Sequence, residues 1–179
     1  MIEFGFAMGP FVLIDMAGLD ILVKTDAVLR KAFPRHGGPA DVAVRLVEAG
    51  HLGQKTGSGV YRYDPGSRKP LPHPETARIA AEVGRERGGR PRLLSAEDIS
   101  RRLVLRMVNE AFKVLEEGLC QRPSDLDVAM VLGTGLADFR GGIVKYAHDV
   151  GLERVRTQLQ ELAAECGERF APGRLLQGF

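Results

Sequence analysis

The 179-residue chain has little net charge, two cysteines, no long apolar run and almost no alternation of apolar with polar residues. Each scarcity excludes something. A formal net charge of +2, from 25 basic and 23 acidic residues scattered along the sequence, leaves no footprint for nucleic acid or an anionic membrane. Cys120 and Cys166 lie far apart and cannot form a metal cluster alone; so few cysteines point to a reduced, cytoplasmic compartment. The most apolar stretch, FVLIDMAGLDILV, is broken by Asp15 and Asp20 and is too short to span a bilayer. The opening MIEFGFAMGP has neither the basic start nor the apolar core of a secretory signal.

What the sequence has instead is helical periodicity. From Leu19 an apolar stripe runs through Leu22, Val23, Leu29, Ala32 and Phe33. Pro39 starts a helix through Val42, Val44, Leu46 and Val47 that Gly50 terminates. Residues 64–74, DPGSRKPLPHP, hold four prolines and read as a linker, followed by a polar helix from Glu75 to Arg87 that ends at Gly88 and Gly89. Ser95 is an N-cap, with Asp98 completing a capping-box-like start. The helix it opens carries Ile99, Leu103, Met107, Ala111, Val114 and Leu115 on one face, as far as Gly118. Pro123 opens the next, up to Gly133. The last long helix aligns Leu152, Val155, Leu159, Leu162, Ala163 and Cys166, which makes Cys166 a core residue.

Two segments repeat. GFAMGPFVLIDMAGLD at 5–20 is similar to GLADFRGGIVKYAHDVGLE at 135–153, with Gly9 opposite Gly142 and Gly18-Leu19 opposite Gly151-Leu152. ERFAPGRLLQGF echoes the proline-led helix at 39–50. The chain therefore reads as two copies of one helical unit. The first lacks its opening helices, as though the chain were a piece of something longer.

The stretch GHLGQKTGSGVYRY at 50–63 carries the composition of a phosphate-binding loop. Its order is wrong for one. A phosphate loop needs G-x-x-x-x-G-K-S/T between a strand and a helix, so that backbone amides and the helix dipole converge on the anion. Here Lys55-Thr56 precedes Gly57 and the loop follows a helix. The residues predict a helix cap and a tight turn that sets Val60, Tyr61 and Tyr63 on a helical core. A nucleotide reading would rest on Lys55 and Thr56. His36, His51, His73 and His148 share no ligand spacing, so no metal site is expected.

GFAMGPFVLIDMAGLD, LVEAGHLGQKTGSGVYRYD and MVNEAFKVLEEGLCQRPSDLDVAMVLGTGLADFRGG, in that order, closely resemble the C-terminal region of 3-hydroxyacyl-CoA dehydrogenases. The resemblance extends to the alpha subunit of bacterial multifunctional fatty-acid oxidation complexes, where this domain occurs in tandem. It implies an all-α fold similar to the C-terminal domain of 6-phosphogluconate dehydrogenase. The expected division is a first copy at 1–63, a linker with a short helix at 64–92, and a second, degenerate copy at 93–179.

The resemblance further implies fatty-acid β-oxidation, an acyl-CoA substrate and NAD held by a separate Rossmann domain. That domain's fingerprint and the family's His/Glu pair have no counterpart here, so no catalytic residue and no bound cofactor are expected. The family's substrate-contacting Asn aligns with Arg101, and the Arg that follows it with Arg102; Asn109 is not its equivalent. Met8, Pro10 and Phe11 match the segment bordering the acyl pocket, and Leu132 matches a second acyl-contacting position. Arg140, in FRGG, either reaches a CoA phosphate or stitches loops together. The implied role is to complete the acyl pocket and hold domains or a homo-oligomer together. The alternative is a stand-alone, non-catalytic interaction module.

Overall fold

The computed structural model describes residues 1–33, 40–88 and 93–177. Among them the structure is helical, with no β-strand and only isolated bridges. It divides into two compact units, Met8–Leu93 and the pair of segments Met1–Ala7 and Leu94–Phe179.

The first of these, residues 8–93, contains helices α1 (Pro10–Ala17), α2 (Leu19–Ala32), α3 (Asp41–Glu48) and α4 (Pro74–Glu86). Pro10 occupies the first turn of α1, where its missing N–H costs nothing. Gly18 ends α1 and begins α2 in one step, at φ 107°. An L side chain rarely adopts that angle, so the corner is specific to glycine. Leu19, Ala43, Leu46, Ile79 and Val83 form the core of this unit. At ~1.5–3 kcal/mol for each large aliphatic buried, α3 and α4 are held by packing more than by propensity.

The reading of α4 as a polar helix thus needs correction, because Ile79 and Val83 face the core. The expected start of α3 at Pro39 lies outside the described residues, as do His36 and Gly89. The α2 stripe is real only in its first half. Leu19, Leu22 and Val23 are wholly or partly buried, whereas Val28, Leu29 and Phe33 are at least half exposed.

The other unit is built on α5 (Ala96–Glu116), joined by α6 (Pro123–Thr134), α7 (Ile143–Val150), α8 (Leu152–Cys166) and α9 (Arg174–Gln177). The Ser95 hydroxyl accepts from the Asp98 amide at 3.0 Å, as an N-cap should. The α5 face read from the sequence is rotated by roughly the 100° that separates neighbouring residues. Ile99 and Leu103 are exposed, and Val104, Leu105, Val108, Asn109, Ala111 and Phe112 are buried. The reason is that α5 is central: α7, α8 and α9 all pack on it, so its buried arc is wide. Asn109 is fully buried, donating to Ala171 O at 2.8 Å and accepting from Gly173 N at 2.9 Å. It is the anchor of the chain's last turn.

The two glycine corners, Gly18 and Gly151, have similar backbone angles. Gly151 joins α7 to α8 at φ 94°, ψ 121°, and Gly18 joins α1 to α2 at φ 107°, ψ 129°. At α7 the Asp127 carboxylate accepts from the amides of Val144 and Lys145, satisfying orphan donors of the first turn.

Candidate functional site

The carboxylate of Asp15 organises the glycine-rich turn. Asp15 lies in the middle of α1, is 1% exposed, and is turned away from water. Its Oδ1 accepts from Val60 N at 2.8 Å, and its Oδ2 from Tyr61 N and from the Tyr63 hydroxyl, each at 2.9 Å. A buried carboxylate is costly unless hydrogen-bonded, and here the turn supplies the bonds.

The glycines are explained by the same contact. A Cβ on Gly53 would sit 2.2 Å from the Asp15 carbonyl oxygen, and one on Gly59 would sit 2.2 Å from Asp15 Oδ1. The chain closes around α1 only because these positions carry no side chain. Burial, together with the bond to Asp15, pushes the Tyr63 phenol up to about 12.

Four amides of the turn are already bonded within it. The amides of Gly53, Thr56, Gly57 and Gly59 are taken by Ser58 O, Gly53 O, Gln54 O and Tyr61 O. Lys55 is paired with Asp20, whose carboxyl its ammonium holds below the usual range. Thr56 Oγ1 bonds Gly53 O and Ser58 O and accepts from Leu52 N. The two residues a nucleotide would use are therefore both engaged, Lys55 with Asp20 on α2 and Thr56 within the turn.

Met8, Pro10 and Phe11 lie at the start of α1. Phe11 is 54% exposed and lines an apolar groove of about 220 Å³ with Ile14, Leu22, Val60 and Val83. Leu132 stands on α6 at 82% exposure, with no part in a core. Arg101 pairs with Asp98 and Glu161, and Arg102 with Glu165 and the Cys166 thiol. Cys166 sits at the edge of the core instead of within it. Arg140 donates to Phe4 O at 2.8 Å and stacks on the Phe4 ring, stitching the N-terminal segment to its loop.

One assembly was invisible in the sequence. His51, which follows α3, and His73, which caps α4, meet beside Glu75. His51 Nδ1 is 2.7 Å from Ser58 Oγ, and its Nε2 is 2.9 Å from Glu75 Oε2. His73 Nδ1 bonds Gly59 O at 2.9 Å. The Glu75 carboxyl is held below its ordinary range, chiefly by the bond to His51.

The described residues thus form an all-helical fold of helix pairs turned about glycine corners, with a buried carboxylate clasping a glycine turn. Residues 1–63 and 99–179 match the model of the 3-hydroxyacyl-CoA dehydrogenase C-terminal domain, and the chain belongs to that family.

Among relatives, it is 34% identical over 179 residues to a peroxisomal fatty acid beta-oxidation multifunctional protein of Oryza sativa subsp. japonica, covering 98% of this chain and 24% of that protein. It is 37% identical over 171 residues to the peroxisomal bifunctional enzyme of Cavia porcellus, covering 89% of this chain and 24% of that one. The chain thus spans about a quarter of the length of these relatives. Two solved structures share the fold. The 3-hydroxybutyryl-CoA dehydrogenase of Escherichia coli matches with TM-score 0.73 at 22% identity, over 98% of this chain and 52% of that one. The dehydrogenase part of multifunctional enzyme 1 of C. elegans matches with TM-score 0.70 at 21% identity, over 98% and 39%.

Proposed function

We propose that this chain is the non-catalytic helical region of an NAD-dependent 3-hydroxyacyl-CoA dehydrogenase of fatty-acid β-oxidation. Its role is to complete the acyl pocket and to hold the assembly together. The observation that carries this reading is the family match along both halves of the chain, combined with its span of a quarter of its relatives. The parent reaction would move a hydride from a 3-hydroxyacyl-CoA to NAD, with the nucleotide on a partner Rossmann domain. This chain's contribution is a wall: Phe11, in the first turn of α1 and just after Met8 and Pro10, lines the apolar groove where an acyl chain would lie.

The assembly role rests on surface that is apolar and open. Phe11, Leu13 and Met16 on α1 and Ile21, Val28 and Leu29 on α2 are all about half exposed or more. Such a surface suits contact with another domain or a second copy. The compartment proposed is the cytoplasm, on the two free cysteines. The rice and guinea-pig relatives bear peroxisomal names, and cell fractionation decides between the two. No helix among the described residues is long and apolar enough to cross a membrane.

The test is complementation. The purified chain alone should form no NADH from 3-hydroxybutyryl-CoA and NAD. Mixed with a related enzyme's NAD-binding domain from which the helical region has been removed, it should restore turnover. Activity from the chain alone, or no restoration and no association, overturns the proposal. The second reading, a stand-alone interaction module, is favoured by Arg101 being tied in ion pairs and Leu132 lying open to solvent. A reading frame continuing upstream into a Rossmann domain would decide against it.

A further inference from the structure

We propose that His51, His73 and Glu75 form a binding site for one divalent transition-metal ion of the zinc type. One ligand atom from each of the three lies within 4.8 Å of the other two. His51 Nε2 and Glu75 Oε2 are already 2.9 Å apart, inside the ~3.4 Å edge of a tetrahedron with ~2.1 Å bonds. Drawing His73 in requires movement of roughly an ångström at a half-buried side chain.

Three features separate this cluster from a chance meeting of polar groups. Each histidine has its other ring nitrogen engaged. Gly59 O can only accept, so His73 Nδ1 carries the proton and the lone pair is on Nε2. His51 Nδ1 bonds Ser58 Oγ, while its Nε2 donates to Glu75 Oε2 a proton that a metal ion would displace. Metal-binding histidines are held by this kind of outer bond. The third ligand is held too, since Arg78 reaches the far oxygen of Glu75. The site is also reachable: the His51 and Glu75 side chains are 20% and 39% exposed, so an ion has an entry path and water can fill the fourth position.

The donor set chooses the metal. Two imidazoles and one carboxylate suit zinc, cobalt(II) or nickel(II), whereas magnesium and calcium prefer all-oxygen shells. The ion replaces the His51–Glu75 hydrogen bond and releases the proton it held. Its structural effect is to fasten the glycine turn, through Ser58 and Gly59, to the first turn of α4.

Titration of the chelator-treated full chain with cobalt(II), followed by visible absorption, tests this. The expected result is one equivalent of cobalt with the intense bands of a low-coordinate site, bleached by one equivalent of zinc. Zinc should also raise the midpoint of thermal unfolding. His73→Ala and Glu75→Gln should each weaken cobalt binding by at least ~10-fold, as losses around metal sites do. Their helical circular dichroism should be unchanged, and exposed His148→Ala should bind as the parent does. Sub-stoichiometric binding, a spectrum of hexa-aquo type, or affinity equal to the parent's in the ligand variants overturns the site and leaves a hydrogen-bonded staple.

Discussion

The Tyr63 hydroxyl donates to the Asp15 carboxylate at 2.9 Å across 48 residues of sequence, and both side chains are buried. This bond fastens the end of the glycine turn to the middle of α1.

Asp15→Ala would leave two backbone amides and a phenol without their acceptor. Buried donors orphaned in this way cost ~1–3 kcal/mol each, and relaxation recovers part of it. The expected loss is ~3 kcal/mol or more in the unfolding of residues 8–93, read by urea denaturation. Amide exchange at Val60 and Tyr61 should accelerate first. Exchange rates unchanged from the parent would refute the clasp.

The glycines predict a contrast. Gly50 has φ 85° but open space around its Cβ position, so Gly50→Ala should cost only the ~1 kcal/mol of a left-handed alanine. Gly53→Ala and Gly59→Ala collide with Asp15 and should cost several-fold more. Equal losses at the three positions would show that backbone angle, not the approach to α1, decides.

A raised phenol makes the fold sensitive to alkali. Tyr63 titrates at about 12 when folded and near 10.0 when unfolded. The unfolded chain therefore gives up this proton first, and stability from Tyr63, complete below pH 10, is lost as pH rises toward 12. Phenolate absorbance should show one of the three tyrosines ionising late. Tyr63→Phe should flatten the alkaline fall in stability.

The open apolar face of α1 and α2 predicts self-association. Light scattering of the purified chain should show mass rising with concentration. Val28→Glu with Leu29→Glu, at positions 67% and 50% exposed, should shift it to monomer without loss of helix. A parent chain that stays monomeric at high concentration would contradict this.

Much of this molecule could be read in one dimension. The α8 stripe, the Ser95 cap and the paired glycine corners follow from local rules, and they appear where periodicity put them. The face of α5 did not, because a helix packed on three neighbours has no single stripe for periodicity to find. Asp15 was in plain view, a charge inside the most apolar stretch, yet it read as an interruption when it was an anchor. His51 and His73 could not be joined from sequence. They stand 22 residues apart, and only the closure of the glycine turn over α1 brings α4 beside the end of α3.

The division of the chain also has a consequence for its birth on the ribosome. Residues 8–93 are contiguous, so that unit can close soon after its last helix emerges. Residues 1–7 must wait much longer. The Gly5 carbonyl bonds the Ala137 amide, and the Phe4 carbonyl bonds Arg140. Asn109 waits in turn for Ala171 and Gly173. Residues 4 and 5 thus find their place only after residues 137 and 140 have been made.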